Sequence, residues 1–236
     1  MSHSRRTKRL ASEGAVIVVS ILLAFWIDAW WAHRQARITE VTVLESIAGE
    51  VEENRRELDR LLDLNRTQLD RIDRFLGMSP DDLRSLPQDS VIPWASAMVI
   101  TWTYDGDDSA AGLFLGSGAP VTQHAREVRS VLARWVRIVE DMEEEKATVW
   151  ELGADLAGRL ALYATGVADD GQGLLHQVAG RLGPELLAQL RLDDEYVAAT
   201  LNKSHYQNVY DLELAEASAL LDSLRALVQE GAGTPP

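Results

Sequence analysis

The feature that most constrains this chain is an apolar run close to its start. From Leu10 to Ala32 nearly every residue is apolar, and Gly14–Ile27 carries no charge. At ~1.5 Å per residue, a helix over 10–32 reaches about 34 Å, enough to cross a hydrocarbon layer of roughly 30 Å. Glu13 and Asp28 then fall near the two interfaces. Trp26, Trp30 and Trp31 cluster at the far end, where amphipathic rings favour the headgroup level. A cleavable signal peptide needs small residues just before the cut, and Asp28–Ala29–Trp30–Trp31–Ala32 is bulky there, so the run reads as a retained anchor. Arg5, Arg6, Lys8 and Arg9 precede it and outweigh Arg34 and Arg37 on the other flank. Cations resist export, so residues 1–9 are expected to stay in the cytoplasm, 10–32 to span, and the bulk to lie outside.

The formal net charge is −14, and because four bases lead the chain the negative balance lies beyond the anchor. Such a surface disfavours nucleic acid and anionic lipid as partners. The chain has no cysteine, so neither disulfides nor thiolate metal sites are available to it.

Within the anchor, Glu13, Ile17, Ser20, Ala24 and Asp28 recur at spacings of four and three and share a helical face. Ser20 and Ala24 form a small-x-x-x-small pair that lets two backbones approach in lipid. The face reads either as a seam between copies of the chain, or against another membrane protein, or as two carboxylates reaching for the headgroups.

The exported part reads as all-α, the anchor continuing into a long amphipathic helix that packs in a helical bundle. Residues 33–78 form this stalk, with an apolar stripe of Ile47, Val51, Leu58, Leu61, Leu69, Ile72 and Leu76. Asn54 and Asn65 fall in the same stripe. Polar residues there either set register between chains, as in coiled coils, or reach the edge of an intramolecular bundle. Gly77 stops the helix, and Ser79-Pro80-Asp81-Asp82 has the composition of a new helix start. Residues 79–121 are irregular: Pro87 and Pro93 bound a loop, Trp94–Trp102 suits a short buried helix, and Val91–Tyr104 is the one strand candidate. Tyr104–Ser109 is a turn capping a helix through Leu115, which Gly116–Pro120 ends. Residues 122–230 supply the rest of the bundle. Thr122 caps a long helix through Tyr163, and the glycine-rich stretch Gly166–Pro184 is expected to hold one short helix. Pro184 opens another, and Asp193 or Asp194 caps a last helix to about Glu230, ahead of a disordered tail at 231–236.

Glu13, Leu23-Ala24-Phe25-Trp26, Asp28 and Trp30, followed later by Ser117-Gly118 ahead of a helix bearing Arg126, Arg129, Leu132 and Trp135, resemble a group of uncharacterised bacterial families of unknown function with one N-terminal transmembrane helix. The resemblance covers about residues 5–165. It implies a bacterial inner-membrane protein with a helical, periplasmic bulk, and no activity. Glycine is typical of the group where Ser20 stands here.

No catalytic constellation is legible. The five histidines, His3, His33, His124, His176 and His205, never recur at the spacing of a helix-borne metal pair. Asp105, Asp107 and Ser109 imitate the start of a calcium loop, but Ala110 and Gly116 stand where its turn glycine and closing glutamate belong, so a helix cap is the better reading. Ser117 and His124 lack the strand–turn–helix elbow of a nucleophile. No metal, cofactor or catalytic residue is expected. The aromatics Trp94, Trp102 and Tyr104 beside Ser117-Gly118 either line a pocket or plug the end of the bundle. The expected function is a membrane-anchored scaffold, assembly or sensing ectodomain; the alternative is a periplasmic module binding a small ligand near these aromatics.

Overall fold

A computed structural model describes the backbone of residues 3–164, 180 and 183–232, and the side chains of 17–163, 180 and 183–230. The side chain of Glu13, most of the stretch from Gly166 to Pro184, and the end of the tail lie outside the described residues. Among these residues the chain is 89% helical with no strand, so the all-α expectation holds. Three long helices dominate: α1 (His3–Gly77), α5 (Gln123–Ala161) and α7 (Asp194–Ala232). The short helices are α2 (Pro80–Arg84), α3 (Val91–Val99), α4 (Ser109–Gly116) and α6 (Pro184–Leu192), with 3-10 turns at Gln88–Ser90 and Leu162–Ala164.

α1 runs unbroken from the apolar run into the bundle. Its described residues before Glu40 stay exposed apart from Ala36, and from Glu40 onward one stripe is buried. From Ile47 that stripe alternates steps of four and three: Val51, Asn54, Leu58, Leu61, Asn65, Gln68, Ile72, Phe75. The mean period of 3.5 is that of helices wound around one another with a left-handed supercoil. Gln68 and Phe75 therefore take the inward positions expected for Leu69 and Leu76, which sit half-buried beside them. The same alternation carries Tyr196, Thr200, Lys203, Gln207, Tyr210 and Leu214 of α7 to the core.

α7 lies between α1 and α5 and packs on both. It runs antiparallel to α1, because Arg55 meets Asp222 at 2.8 Å and Arg225 meets Glu52 at 3.3 Å. α5 is parallel to α1: Glu40 holds its start, and its Leu156 and Leu160 share a cluster with Ile72 and Phe75 near the end of α1. On the remaining side, α3 and α4 each contact both α1 and α5 and fill the space between them. The irregular section is thus the fourth wall of the bundle. Asn54 and Asn65 are buried inside this intramolecular packing.

The helix starts follow the local sequence. Ser79 accepts from the Asp82 N–H while the Asp82 carboxylate accepts from Ser79, a reciprocal capping box. Thr122 accepts from the Ala125 N–H at 3.1 Å, and Asp193 from the Glu195 and Tyr196 N–H groups, both at 3.0 Å. Gly183 adopts φ 55 before Pro184, a backbone that favours glycine. Two expectations change. Trp94–Trp102 is not the helix; α3 starts at Val91, keeps Pro93 in its first turn, where no intrahelical donor is needed, and stops at Val99. Nor is Val91–Tyr104 a strand, since its first nine residues form α3 and residues 100–104 take no regular secondary structure.

Carboxylates of α1 cap its neighbours. Glu40 accepts from the Val121 N–H at 2.6 Å, the Thr122 N–H at 3.2 Å and the Thr122 hydroxyl, just ahead of α5. Glu50 accepts from the Ala110 and Ala111 N–H groups at 2.6 and 3.2 Å, at the start of α4. Burial raises the Glu50 carboxyl above its ordinary range, while these two backbone bonds pull it down. Orphan N–H groups at a helix start need such acceptors. Glu40→Ala is expected to cost about 1–3 kcal/mol, the penalty for stranding half-buried donors. Urea unfolding should show the loss, and hydrogen exchange should show it confined first to Val121 and Thr122.

Candidate functional site

The residues singled out in the sequence do not converge. Trp94 packs on the distal apolar cluster with Ile72 and Phe75, whereas Tyr104 is buried in the proximal one with Leu58 and Trp135. Trp102 is 38% exposed between them in chain order. Ser117 and Gly118 sit at the end of α4, where Arg129 donates to the carbonyls of Gly118 at 2.9 Å, Ser117 at 3.3 Å and Leu115 at 2.5 Å. The Ser117 hydroxyl donates to the Phe114 carbonyl at 2.7 Å, which commits it to closing the helix. Ser117-Gly118 and Arg129 are therefore one helix-terminating unit. Asp107 accepts from the Ser109 N–H at 3.0 Å, and that hydroxyl and N–H hold its carboxyl below the usual range, as a helix start requires. Ser20, Ala24 and Asp28 lie on the exposed length of α1.

Asn54 clamps the irregular section. Its amide donates to the Asp107 carbonyl at 2.5 Å and accepts from the Asp107 N–H at 3.0 Å, a two-way bond to one backbone residue. A shallow groove of ≈ 420 Å³ opens beside it, lined by Glu53, Glu57, Asp105 and Asp107 together with Arg56 and Arg60. Its charges are mixed and Glu57 is paired with Arg60 at 2.7 Å. Among the described residues no group of three or more histidines and carboxylates is placed to hold a metal.

The densest chemistry is a polar layer between the two apolar clusters, of which the sequence pattern marked only Asn65. α7 contributes Thr200, Lys203, Ser204 and Gln207, and α1 contributes Asn65 and Gln68, all buried. Lys203 is 0% exposed, and its Nζ donates to the carbonyls of Met98 at 3.0 Å and Ile100 at 2.6 Å. Gln68 donates to the carbonyls of Ala97 at 2.7 Å and Ile100 at 2.5 Å. Two long helices thus satisfy the carbonyls where α3 ends, the negative end of its dipole. α5 reaches the same point through Gly153: a Cβ there would stand 2.7 Å from the Val99 carbonyl oxygen and 2.8 Å from the Thr101 hydroxyl. Burial pushes the Lys203 amine down to about 7, with no carboxylate opposing it. Both amide atoms of the buried Gln207 lack a protein hydrogen-bond partner among the described residues.

Comparison with protein families, with curated proteins and with solved structures returns no match to this chain. An amine near neutrality suits nucleophilic or general-base work, but this one is sealed from solvent by α1, α3, α5 and α7. It joins helices; it does not reach a substrate. The sequence signal for it was available: Lys203 is one of three lysines and stands on the 3.5-residue stripe of α7, where an apolar residue is the rule.

Proposed function

We propose that the chain is a single-pass, membrane-anchored helical ectodomain that serves as a scaffold or assembly subunit of a bacterial inner membrane, its N-terminus cytoplasmic and its bundle periplasmic. The observation that carries this is the two-part character of one continuous helix. Along 17–31 the large apolar side chains of α1 are all about half exposed or more, whereas beyond Glu40 a single stripe is buried by the bundle. α1 is long and apolar enough near its start to cross a membrane. Eleven such side chains in water would be costly, at roughly 1.5–3 kcal/mol each for the larger ones. Tryptophans at the exit suit a membrane interface, and the bases at the entry support the orientation.

A scaffold role follows from what the bundle offers. Its polar groups are spent on its own helix ends, at Glu40, Glu50, Asn54, Gln68, Lys203 and Arg129. What reaches the surface is acidic and helical, and no hinge interrupts α1 between membrane and core. The test is fractionation followed by proteolysis. The full chain should resist carbonate extraction from membranes, and protease added to spheroplasts should remove the acidic bulk. Release by carbonate, or full protection while a periplasmic control is digested, would reject the reading.

A further inference from the structure

In one stretch of the seam between α1 and α7, a set of buried polar atoms makes no well-formed hydrogen bond to protein among the described residues. They are Nδ2 and Oδ1 of Asn65, Oε1 of Gln68, Nε2 and Oε1 of Gln207, and Oδ1 of Asp211. Turning the Asn65 or Gln207 amide over changes nothing, because both of its ends lack a partner. The antiparallel register set by Arg55 with Asp222 and Glu52 with Arg225 puts Asn65 level with Leu212 and Gln68 level with Val209. Asp211 and Gln207 lie one and two positions away, so the four polar side chains form one cluster across the seam. Burial raises the Asp211 carboxyl, and Asn65 and Arg66 of α1 stand close enough to ease it down. Buried amides and carboxyls in folded proteins find a partner in protein or in ordered water.

We propose that this cluster holds ordered water between α1 and α7, and that the water carries protons between the Lys203 amine and the surface at Asp211. Water is the ligand class that fits, because the open atoms are both donors and acceptors. An anion would leave the amide oxygens unpaired, and a cation the amide nitrogens. Lys203, Gln207 and Asp211 follow one another at steps of four, about 6 Å apiece along α7. Lys203 and Gln207 are fully buried and Asp211 only partly, so the row leads from the core to the surface. The link to the amine is Gln68, which shares the Ile100 carbonyl with Lys203. A neutral amine has two N–H donors and an ammonium three. The Met98 and Ile100 carbonyls accept two of them, so protonation adds a donor that the open Oε1 of Gln68, or water beside it, accepts. On release, Nζ passes one proton to water and one proton leaves the far end into solvent beside Asp211. Nothing else changes charge.

The scarcity of lysine makes the test direct. Lysine labelled at the amine nitrogen reports on Lys8, Lys146 and Lys203 alone in the full-length chain in detergent, and the signal lost in Lys203→Met is assigned. In the wild type, the side-chain amides of Asn65 and Gln207 should show magnetisation transfer from long-lived water. In Gln207→Leu an apolar side chain of similar size interrupts the row, and exchange at Lys203 must wait for local opening of the helices, so it should slow roughly tenfold or more. The direction is diagnostic, because a variant that merely loosened the bundle would exchange faster. Equal or faster exchange in Gln207→Leu would overturn the proposal. So would wild-type amides that receive nothing from water, a readout that stands even where the variant fails to fold.

Discussion

Between pH 7 and pH 9.5 the bundle is expected to gain about 3 kcal/mol of stability that the Lys203→Met variant does not gain. The amine of Lys203 is pushed down to about 7 in the folded chain, from an ordinary value of 10.5. A base whose folded pKa is depressed binds fewer protons folded than unfolded between those two values. Its contribution is complete above 10.5 and is lost as the pH falls to about 7. The slope reaches about 1.4 kcal/mol per pH unit, which sets the size of the effect over the window. The window is clean for a reason visible in the sequence: there is no cysteine, and Lys8 and Lys146 are the only other lysines. Tyr104, Tyr196 and Tyr210 are all raised by burial, so they remain neutral through pH 9.5. Glu213, lifted to about 7 by burial and by Glu145, acts in the opposite sense and only below the window, since stability present under its ordinary value is lost as the pH rises to about 7. Urea unfolding of the detergent-solubilised chain at several pH values, for wild type and Lys203→Met, gives the comparison. Parallel profiles would show that Lys203 is not held as described. In Lys203→Met the Ile100 carbonyl keeps its bond from Gln68, while the Met98 carbonyl loses its own, so the variant is expected to fold.

Gly153→Val is expected to destabilise the bundle by about 3 kcal/mol or more, the upper range for forcing atoms into a packed core. The nearest obstacle is the backbone carbonyl of Val99, which has no rotamer to turn away. Relief requires the 99–101 segment to move off α5, and that same segment supplies the Ile100 carbonyl to Lys203 and takes the Thr101 hydrogen bond to the Val149 carbonyl at 3.3 Å. Gly153→Ala should cost less, because alanine recovers about 1 kcal/mol of helix propensity while its Cβ still meets the carbonyl. A second measurement follows the lysines. Amine-selective acetylation of the folded chain should label Lys146 and spare Lys203, and in Gly153→Val labelling of Lys203 should rise. A valine tolerated within 0.5 kcal/mol on the scale of ordinary surface substitutions, with Lys203 still protected, would mean that α5 does not press on the end of α3.

These two effects meet at a place the sequence did not announce. Residues 97–101 look locally like an apolar stretch of uncertain form, compatible with strand or helix. What makes α3 a helix that ends at Val99 is the set of donors waiting beyond it, Gln68 from α1 and Lys203 from α7, separated from it in the chain by about 30 and 105 residues. The three aromatics part company for a related reason. Trp94, Trp102 and Tyr104 are close in sequence, but α3 ends between them at Val99, and Trp94 and Tyr104 are delivered to different apolar clusters.

The sequence by itself determined the lipid-compatible run, the acidic helical bulk and most of the points where helices start and stop. Those properties depend on transfer energy and on side chains capping backbone within three or four residues, as at Ser79, Thr122 and Asp193. Periodicity also marked which face of α1 turns inward, though only a strict 3.5-residue count puts Gln68 and Phe75 there. What only the tertiary structure decided is what each inward polar group meets: Asn54 the Asp107 backbone, Glu40 the start of α5, Lys203 the end of α3. A heptad states that a residue is buried, not what lies opposite it. Opposite partners are chosen when remote segments pack, because each buried donor and acceptor must then find its complement within about 3 Å or remain unpaired at a cost.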